Sequence, residues 1–126
     1  MPERSSRGFT LIELLVVLTI LALLLTIAAP RYFHGVDKAK EATLRSDLRN
    51  MREAIDQYYG DHARYPDSLD ELVQRGYLRK VPADPITGSM ETWLILPPPE
   101  EVEGQVSDIR SGAEGTGEDG IPYAEW

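Results

Sequence analysis

An apolar run of 21 residues, positions 9–29, constrains this chain more than any other feature. The one ionisable side chain within it is Glu13. With about 1.5 Å of rise per residue, a helix of this length extends about 31 Å, which is the thickness of the hydrocarbon core of a bilayer. The run therefore predicts a helix that spans a membrane.

The charges in front of this run predict its orientation. Arg4 and Arg7 precede it, with Glu3 as the one opposing acid. The positive-inside rule keeps such a flank in the cytoplasm and places the chain after Pro30 on the other side. A cleaved secretory signal has an apolar core of about 7–15 residues, which this run exceeds. The pattern favours a single-pass membrane protein whose C-terminal domain lies outside the cytoplasm.

Glu13 is the residue of the run that a plain membrane anchor does not explain. A carboxylate at the centre of a membrane helix costs about 2.5–3.5 kcal/mol on insertion scales, and less near the end of the helix, where Glu13 lies. Such a residue indicates a functional site, and its partner should be a buried positive group.

Residues 8–13, Gly-Phe-Thr-Leu-Ile-Glu, resemble the leader junction of type IV pilins and of the pseudopilins of type II secretion. The resemblance implies that a prepilin peptidase on the cytoplasmic face removes residues 1–8. The cut would fall between Gly8 and Phe9, and the new amine of Phe9 would be methylated.

The same resemblance implies assembly roles for two residues. Glu13 would be the fifth mature residue and Pro30 the twenty-second, as the family pattern requires. The cationic amine of Phe9 in one subunit would pair with Glu13 of its neighbour, so that neither charge is buried alone. Residues 9–30 would then serve as both the transmembrane helix and the polymerisation helix.

Beyond Pro30, apolar residues recur at helical spacing. The intervals between them are four, three, four and three residues: Leu44, Leu48, Met51, Ile55 and Tyr58. This spacing predicts an amphipathic helix over residues 31–63 whose apolar stripe packs on a small sheet. The helix would continue the membrane helix, bent or locally loosened around Pro30 and Gly35, and would be capped by Gly60.

Residues 64–126 predict a small globular α+β domain. Ser68, with Glu71 three residues further on, forms a capping-box pattern that predicts a short helix beginning at Ser68. Residues 93–96 predict a strand that three prolines then break, and residues 102–109 predict a weaker second strand.

This domain carries a second resemblance, to the major pseudopilin of type II secretion. The motifs of that family recur here in the family's order: Tyr65-Pro66, Gly76-Tyr77-Leu78, Pro82-Ala83-Asp84-Pro85 and Gly88. The resemblance covers most of the chain, although the acidic turn at residues 100–103 has no counterpart in it. It implies a type IV pilin-like fold, in which the long N-terminal helix packs on a small antiparallel sheet that is followed by a C-terminal loop.

The C-terminal loop combines carboxylates with glycines, which are hard ligands on a backbone that folds tightly, as calcium requires. Composition alone favours a solvated acidic loop, because no EF-hand spacing is present. The resemblance implies a calcium site in this loop, completed by backbone carbonyls, although Glu114 and Gly120 replace acids of the family pattern. It assigns side-chain ligands to three residues: Ser111, Glu114 and Asp119. Tyr123 and Trp126 would pin the end of the chain against the sheet.

Other kinds of function find little support. The chain has no cysteine, which excludes disulfides and thiol chemistry. From residue 81 onward it has ten carboxylates and one cation, Arg110, a balance that argues against a nucleic-acid partner. His34 and His62 are isolated, and neither a nucleophile motif nor a phosphate-binding glycine loop is present. We expect no enzymatic activity.

These observations predict a structural subunit that polymerises into a periplasmic pseudopilus and helps to push proteins across the outer membrane. The subunit would be held in the inner membrane with its C-terminal domain in the periplasm. By resemblance, its partners are further copies of itself, prepilin peptidase, an assembly ATPase, the inner-membrane platform, minor pseudopilins and the lipid bilayer. Two alternatives stay open: a type IV pilin of a surface fibre, and a membrane-tethered calcium- or ligand-binding domain that does not polymerise.

Overall fold

The computed structural model describes residues 8–126 and has an α+β fold. Its elements in chain order are α1 (Leu11–His62), α2 (Leu69–Gln74), β1 (Leu94–Leu96), β2 (Asp108–Arg110) and a C-terminal 3₁₀ helix (Tyr123–Glu125). The chain divides into two compact units between Val36 and Asp37. The predicted fold class, a long N-terminal helix with a small antiparallel sheet, is confirmed.

The first unit contains the apolar part of α1. The hydroxyl of Thr10 caps the N-terminus of the helix: its Oγ1 accepts a hydrogen bond from the backbone N–H of Glu13 at 3.1 Å. This bond satisfies a donor for which the first turn has no partner of its own. The α-helix continues past Pro30 and Gly35, so the loosening predicted there does not interrupt it.

The predicted apolar stripe of α1 forms the core of the second unit. All five of its residues are at most 2% exposed: Leu44, Leu48, Met51, Ile55 and Tyr58. They pack with Leu72 of α2, Ile109 of β2 and two side chains from loops, Trp93 and Val106. Burying each large apolar side chain contributes about 1.5–3 kcal/mol, so this half of α1 carries much of the stability of the domain.

The C-terminal end of α1 differs from the prediction. Gly60 lies inside the helix, which ends at His62. The left-handed conformation falls on Ala63, with φ of 56°, and the N–H of Ala63 still donates to the carbonyl of Tyr59 at 2.8 Å. The predicted cap at Gly60 was therefore wrong. A left-handed alanine costs about 1–2 kcal/mol, so the surrounding structure, and not local preference, ends this helix.

α2 begins where the capping pattern predicts. Ser68 is its N-cap, and the Oγ of Ser68 accepts from the N–H of Glu71 at 3.1 Å. The carboxylate of Glu71 accepts from the N–H of Asp67 at 2.7 Å and from the hydroxyl of Tyr58 at 2.6 Å. Glu71 therefore ties α2 to α1 as well as capping it.

The sheet consists of β1 and β2, an antiparallel pair in which Ile95 lies opposite Ile109. β1 begins one residue after its predicted start, because Trp93 is turned into the core. The indole of Trp93 is 6% exposed, and its N–H donates to the carbonyl of Pro82 at 2.8 Å.

The second strand is shorter than predicted. Much of the stretch expected to pair with β1 bonds instead to residues 65–66. The N–H of Tyr65 donates to the carbonyl of Glu103, and the N–H groups of residues 105 and 106 donate to the carbonyl of Pro66. Gly104 makes this approach possible, because a Cβ on it would lie 2.3 Å from the carbonyl oxygen of Tyr65. These bonds hold the middle of the stretch on that loop, and the strand that remains has three residues, Asp108–Arg110.

Candidate functional site: the N-terminal helix and the C-terminal segment

The predicted cleavage junction lies in accessible chain ahead of α1. Gly8 and Phe9 precede the helix, and Phe9 is 83% exposed. Among the described residues, 8–126, no atom beyond the chain neighbours of Gly8 lies within 4 Å of the position of a Cβ on it. Exposed peptide bonds outside regular structure are the ones that peptidases reach most easily. The rest of the predicted leader, residues 1–7, lies outside the described residues.

Glu13 occupies the first turn of α1, three residues after the capping residue Thr10. A carboxylate at this end of a helix is stabilised by the helix dipole, typically by about 0.3–1 kcal/mol. Thr10 is a residue that the sequence reading missed, although the Thr-x-x-Glu spacing of a capping box could have revealed it.

The side chains that follow Glu13 form an apolar surface around α1. From Leu11 to Ile27, the large apolar side chains are between 46% and 77% exposed. The hydroxyls of Thr19 and Thr26 donate to backbone carbonyls four residues earlier, at 2.7 and 2.8 Å, and so need no water. Within residues 8–126, α1 is the one helix that is long and apolar enough to cross a membrane. It has the character of a single-pass membrane anchor.

The C-terminal segment, residues 111–126, contains the three predicted calcium ligands. The first of them, Ser111, is fully buried, and its hydroxyl donates to the carboxylate of Asp84. Asp84 is also fully buried, and its other oxygen accepts from the N–H of Ile86 at 2.8 Å. In the sequence, Asp84 stands out only as part of the Pro82-Ala83-Asp84-Pro85 motif. The structure shows that it joins the loop around residue 85 to the C-terminal segment.

The second and third predicted ligands lie on the surface. Asp119 receives a hydrogen bond from the guanidinium of Arg45 on one oxygen, at 2.8 Å, and from the N–H of Ile121 on the other, at 3.0 Å. The N–H of Ile121 and then the Arg45 guanidinium hold the pKa of Asp119 below its usual value. Glu114 is exposed.

The three side chains, as they are placed here, do not fit a calcium site. The hydroxyl of Ser111 is bonded to Asp84, and both oxygens of Asp119 are bonded to protein donors. In the described part of the chain, no three His, Cys, Asp or Glu side chains lie close enough together to hold a metal ion. Calcium binding stays a prediction.

The C-terminal segment is held on α1 by side chains that the sequence reading did not single out. Glu41 is 8% exposed, and its Oε1 accepts from the hydroxyl of Tyr123 at 2.8 Å and from the N–H of Glu118 at 3.1 Å. Burial, followed by the hydrogen bond to Glu41, raises the pKa of Tyr123 to about 12. Tyr123 is thereby stabilised as a neutral donor.

Two arginines of α1 hold the end of the segment. Arg45 lies over the ring of Trp126, with Cζ 4.1 Å from the ring centre. Arg52 donates to the carbonyl of Trp126 at 2.7 Å, to the carbonyl of Ile109 at 2.8 Å and to the carboxylate of Asp108 at 2.9 Å. Trp126 therefore contacts α1 as well as packing against the core, whereas the prediction named only the sheet.

Comparison with known proteins gives the family. A model described as the prokaryotic N-terminal methylation motif matches residues 4–29. The type II secretion system core protein G of Klebsiella michiganensis is 33% identical, over 97% of this chain and 90% of its own length. The protein of the same name from Klebsiella pneumoniae is 32% identical over 98% of this chain and 96% of its own. This chain belongs to the family of type II secretion system core protein G. A Vibrio cholerae core protein G is 29% identical, over 92% of this chain and 90% of its own length.

Membership in the core protein G family agrees with the features of the N-terminal half. Core protein G is a pseudopilin, a structural subunit and not an enzyme. The methylation motif covers Gly8, Phe9 and Glu13 and the whole of the apolar run at positions 9–29. No solved structure gives a significant match.

Proposed function

We propose that this core protein G is made as a precursor, cut between Gly8 and Phe9 by prepilin peptidase, and methylated on the new amine. The mature chain is held in the inner membrane by α1, with its C-terminal domain in the periplasm. It then polymerises into a helical pseudopilus that helps to push proteins across the outer membrane. The observation that carries this proposal is the exposed apolar surface of α1 with one carboxylate, Glu13, in its first turn.

The exposed surface supports assembly through α1. The large apolar side chains from Leu11 to Ile27 are exposed along this whole stretch of α1. In the membrane, lipid covers this surface, and in a filament the same surface of neighbouring copies can cover it. Exchange of lipid for protein brings little hydrophobic gain, so helix packing and polar contacts must direct the assembly.

Glu13 supplies the polar contact. After cleavage, the amine of Phe9 is a cation at the end of an otherwise apolar helix, and Glu13 is the matching anion. Paired between two copies, the charges compensate each other in surroundings where one alone is strongly disfavoured. An uncut leader would leave no amine at Phe9, so cleavage controls when a subunit can assemble.

Pro30 is the second residue to which this proposal gives a role in assembly. It lacks a backbone N–H, so α1 misses one helical hydrogen bond at this position. The helix can then change its local geometry here more readily than elsewhere as a subunit passes from the bilayer to the filament. The inner-membrane platform, the minor pseudopilins and an assembly ATPase are the partners in this step.

The test replaces Glu13 in a strain whose own core protein G gene is deleted. We expect Glu13→Val to insert into the membrane and to be cut at Gly8, but to form no filaments and to support no secretion. Leu14→Val, the neighbouring exposed position, is the matched control and should assemble normally. Filaments are counted by electron microscopy, and the processed N-terminus is read by intact mass with fragmentation.

The outcomes separate the candidate functions. Normal filaments from Glu13→Val would refute the role of Glu13, and a chain that keeps Met1 beside an active prepilin peptidase would refute processing. Long surface fibres with retraction-dependent motility would favour a type IV pilin. If neither the wild-type protein nor Glu13→Val forms filaments and the variant is fully active, a membrane-tethered binding domain would be favoured.

A further inference from the structure

Three charged side chains on one face of α1 contact the C-terminal segment. Glu41, Arg45 and Arg52 are separated by four and seven residues, which places them on one side of a helix. Glu41 accepts from the N–H of Glu118 and the hydroxyl of Tyr123. Arg45 donates to the carboxylate of Asp119, and Arg52 donates to the carbonyl of Trp126. The segment is thus attached to α1 at several points between residues 118 and 126.

Arg45 lies at the centre of this attachment. Its guanidinium donates to Asp119 at 2.8 Å and also covers the ring of Trp126, with 4.1 Å between Cζ and the ring centre. A guanidinium is always charged, and its flat shape suits a carboxylate at the edge and an aromatic ring at the face. One side chain therefore joins two parts of the segment to the helix.

The interior of the segment is filled by protein groups. Gly117 packs so closely on the indole of Trp126 that a Cβ would lie 2.4 Å from it. The indole N–H donates to the carbonyl of Ile121 at 3.1 Å, and the same carbonyl accepts from the N–H of Gly117 at 2.9 Å. The carbonyls of Gly115 and Gly117 accept from backbone N–H groups within the segment, at 3.2 and 3.0 Å. The carbonyls of Gly115, Gly117 and Ile121 thus already accept hydrogen bonds from protein donors.

From these contacts we propose that Arg45 replaces a metal ion in this chain: its guanidinium, bonded to Asp119 and stacked on Trp126, holds the C-terminal segment on α1. Glu41, before Arg45 in α1, and Arg52, after it, hold the segment through further hydrogen bonds. The segment then keeps its structure without calcium. This inference concerns the folded domain and does not depend on polymerisation.

The first test needs no variant. The full-length protein in detergent is melted with about 5 mM EDTA and, separately, with calcium chloride raised to about 5 mM, which exceeds the weakest dissociation constants of extracellular calcium modules, about 1 mM. Binding is measured independently with terbium, whose luminescence Trp126 would sensitise at a site in this segment. We expect the same Tm within about 1 °C and no saturable terbium signal. A calcium-dependent rise in Tm together with saturable terbium binding would overturn the proposal.

The second test removes the guanidinium. We expect Arg45→Gln to lower Tm by about 4–8 °C with or without calcium and to expose the segment to proteolysis. Arg49→Gln, at an exposed arginine one turn further along α1, is the control and should change neither. Arg45→Lys keeps the charge but loses the flat fork and should fall between wild type and Arg45→Gln.

A double variant distinguishes the ion pair from a general surface effect. Asp119→Asn should lower Tm by about as much as its ion pair with Arg45 contributes. Adding it to Arg45→Gln should lower Tm little further, because the effects of residues in one network are not additive. Equal stability of Arg45→Gln and Arg49→Gln would overturn the assigned role of Arg45. If Arg45→Gln does not fold, the calcium titration of the unchanged chain still decides the matter.

Discussion

Gly104 offers the sharpest test of how the loops of the domain pack. Its φ is +116°, a value that side-chain-bearing residues rarely adopt, and a Cβ would lie 2.3 Å from the carbonyl oxygen of Tyr65. Real Cβ atoms essentially never approach a heavy atom within 3.0 Å, so Gly104→Ala must push the two loops apart by at least about 0.7 Å. The nearest atoms are the carbonyl group and the Cβ of Tyr65, and no change of rotamer can move either of them away.

The magnitude follows from what this movement disturbs. A left-handed or related conformation costs a non-glycine residue about 1–2 kcal/mol. The same shift stretches the hydrogen bonds from Tyr65 to Glu103 and from residues 105 and 106 to Pro66. Each such bond contributes about 0.5–1.5 kcal/mol, so we expect Gly104→Ala to lower the free energy of unfolding by about 3–5 kcal/mol.

Gly88 provides the matched control. Its φ is also positive, +73°, but in the part of the chain that the structure describes no atom beyond its chain neighbours lies within 4 Å of a Cβ built there. Gly88→Ala should therefore cost only the conformational part, about 1–2 kcal/mol. Urea unfolding of the two full-length variants in detergent, followed by tryptophan fluorescence, measures the difference. If Gly104→Ala is as stable as Gly88→Ala, the close loop contact described here is wrong.

Two further predictions concern the C-terminal segment. Arg52→Met should destabilise the domain by about 2–3 kcal/mol in urea unfolding, because its carbonyl and carboxylate partners lose a charged donor. The control, Arg49→Met, should change stability by less than about 0.5 kcal/mol. Equal losses in the two variants would contradict the Arg52 contacts. The pKa of Tyr123 is raised to about 12, so its contribution is complete below the unfolded pKa of about 10 and is lost as pH rises towards 12. Wild type should therefore lose more stability than Tyr123→Phe between those pH values, and parallel alkaline melting curves would argue against the bond to Glu41.

Several elements could be predicted from the sequence because their signals are local. The length of the apolar run indicates a helix that is apolar all round, and the three-and-four spacing of Leu44 to Tyr58 indicates one apolar face; both parts belong to α1. Ser68 caps α2 because its oxygen lies three residues from the donor that it satisfies. Signals of this kind need no knowledge of distant residues. The Gly-Phe-Thr-Leu-Ile-Glu motif is local too, and the family match includes it.

The misplaced boundaries have a common cause. Residues 102–107 were predicted as part of a strand, but the N–H groups of residues 105 and 106 donate to the carbonyl of Pro66, and the carbonyl of Glu103 accepts from Tyr65, about 40 positions earlier in the chain. Gly60 is a good cap by local preference, yet packing carries α1 on to His62. In both places a long-range contact was stronger than the local preference, and such contacts leave no periodic pattern in the sequence.

The sequence by itself determined the membrane helix, the amphipathic stripe and the motif of the leader junction, because each depends on spacing along one stretch of chain. Tertiary structure alone decided the partners of the polar groups in the C-terminal segment. Asp119 meets Arg45 across 74 residues, and Ser111 meets Asp84 across 27. A carboxylate on a glycine-rich segment can bind a metal ion, a guanidinium or a backbone N–H with similar chemistry. Only the folded position of α1 beside that segment brings the guanidinium of Arg45 to the carboxylate of Asp119.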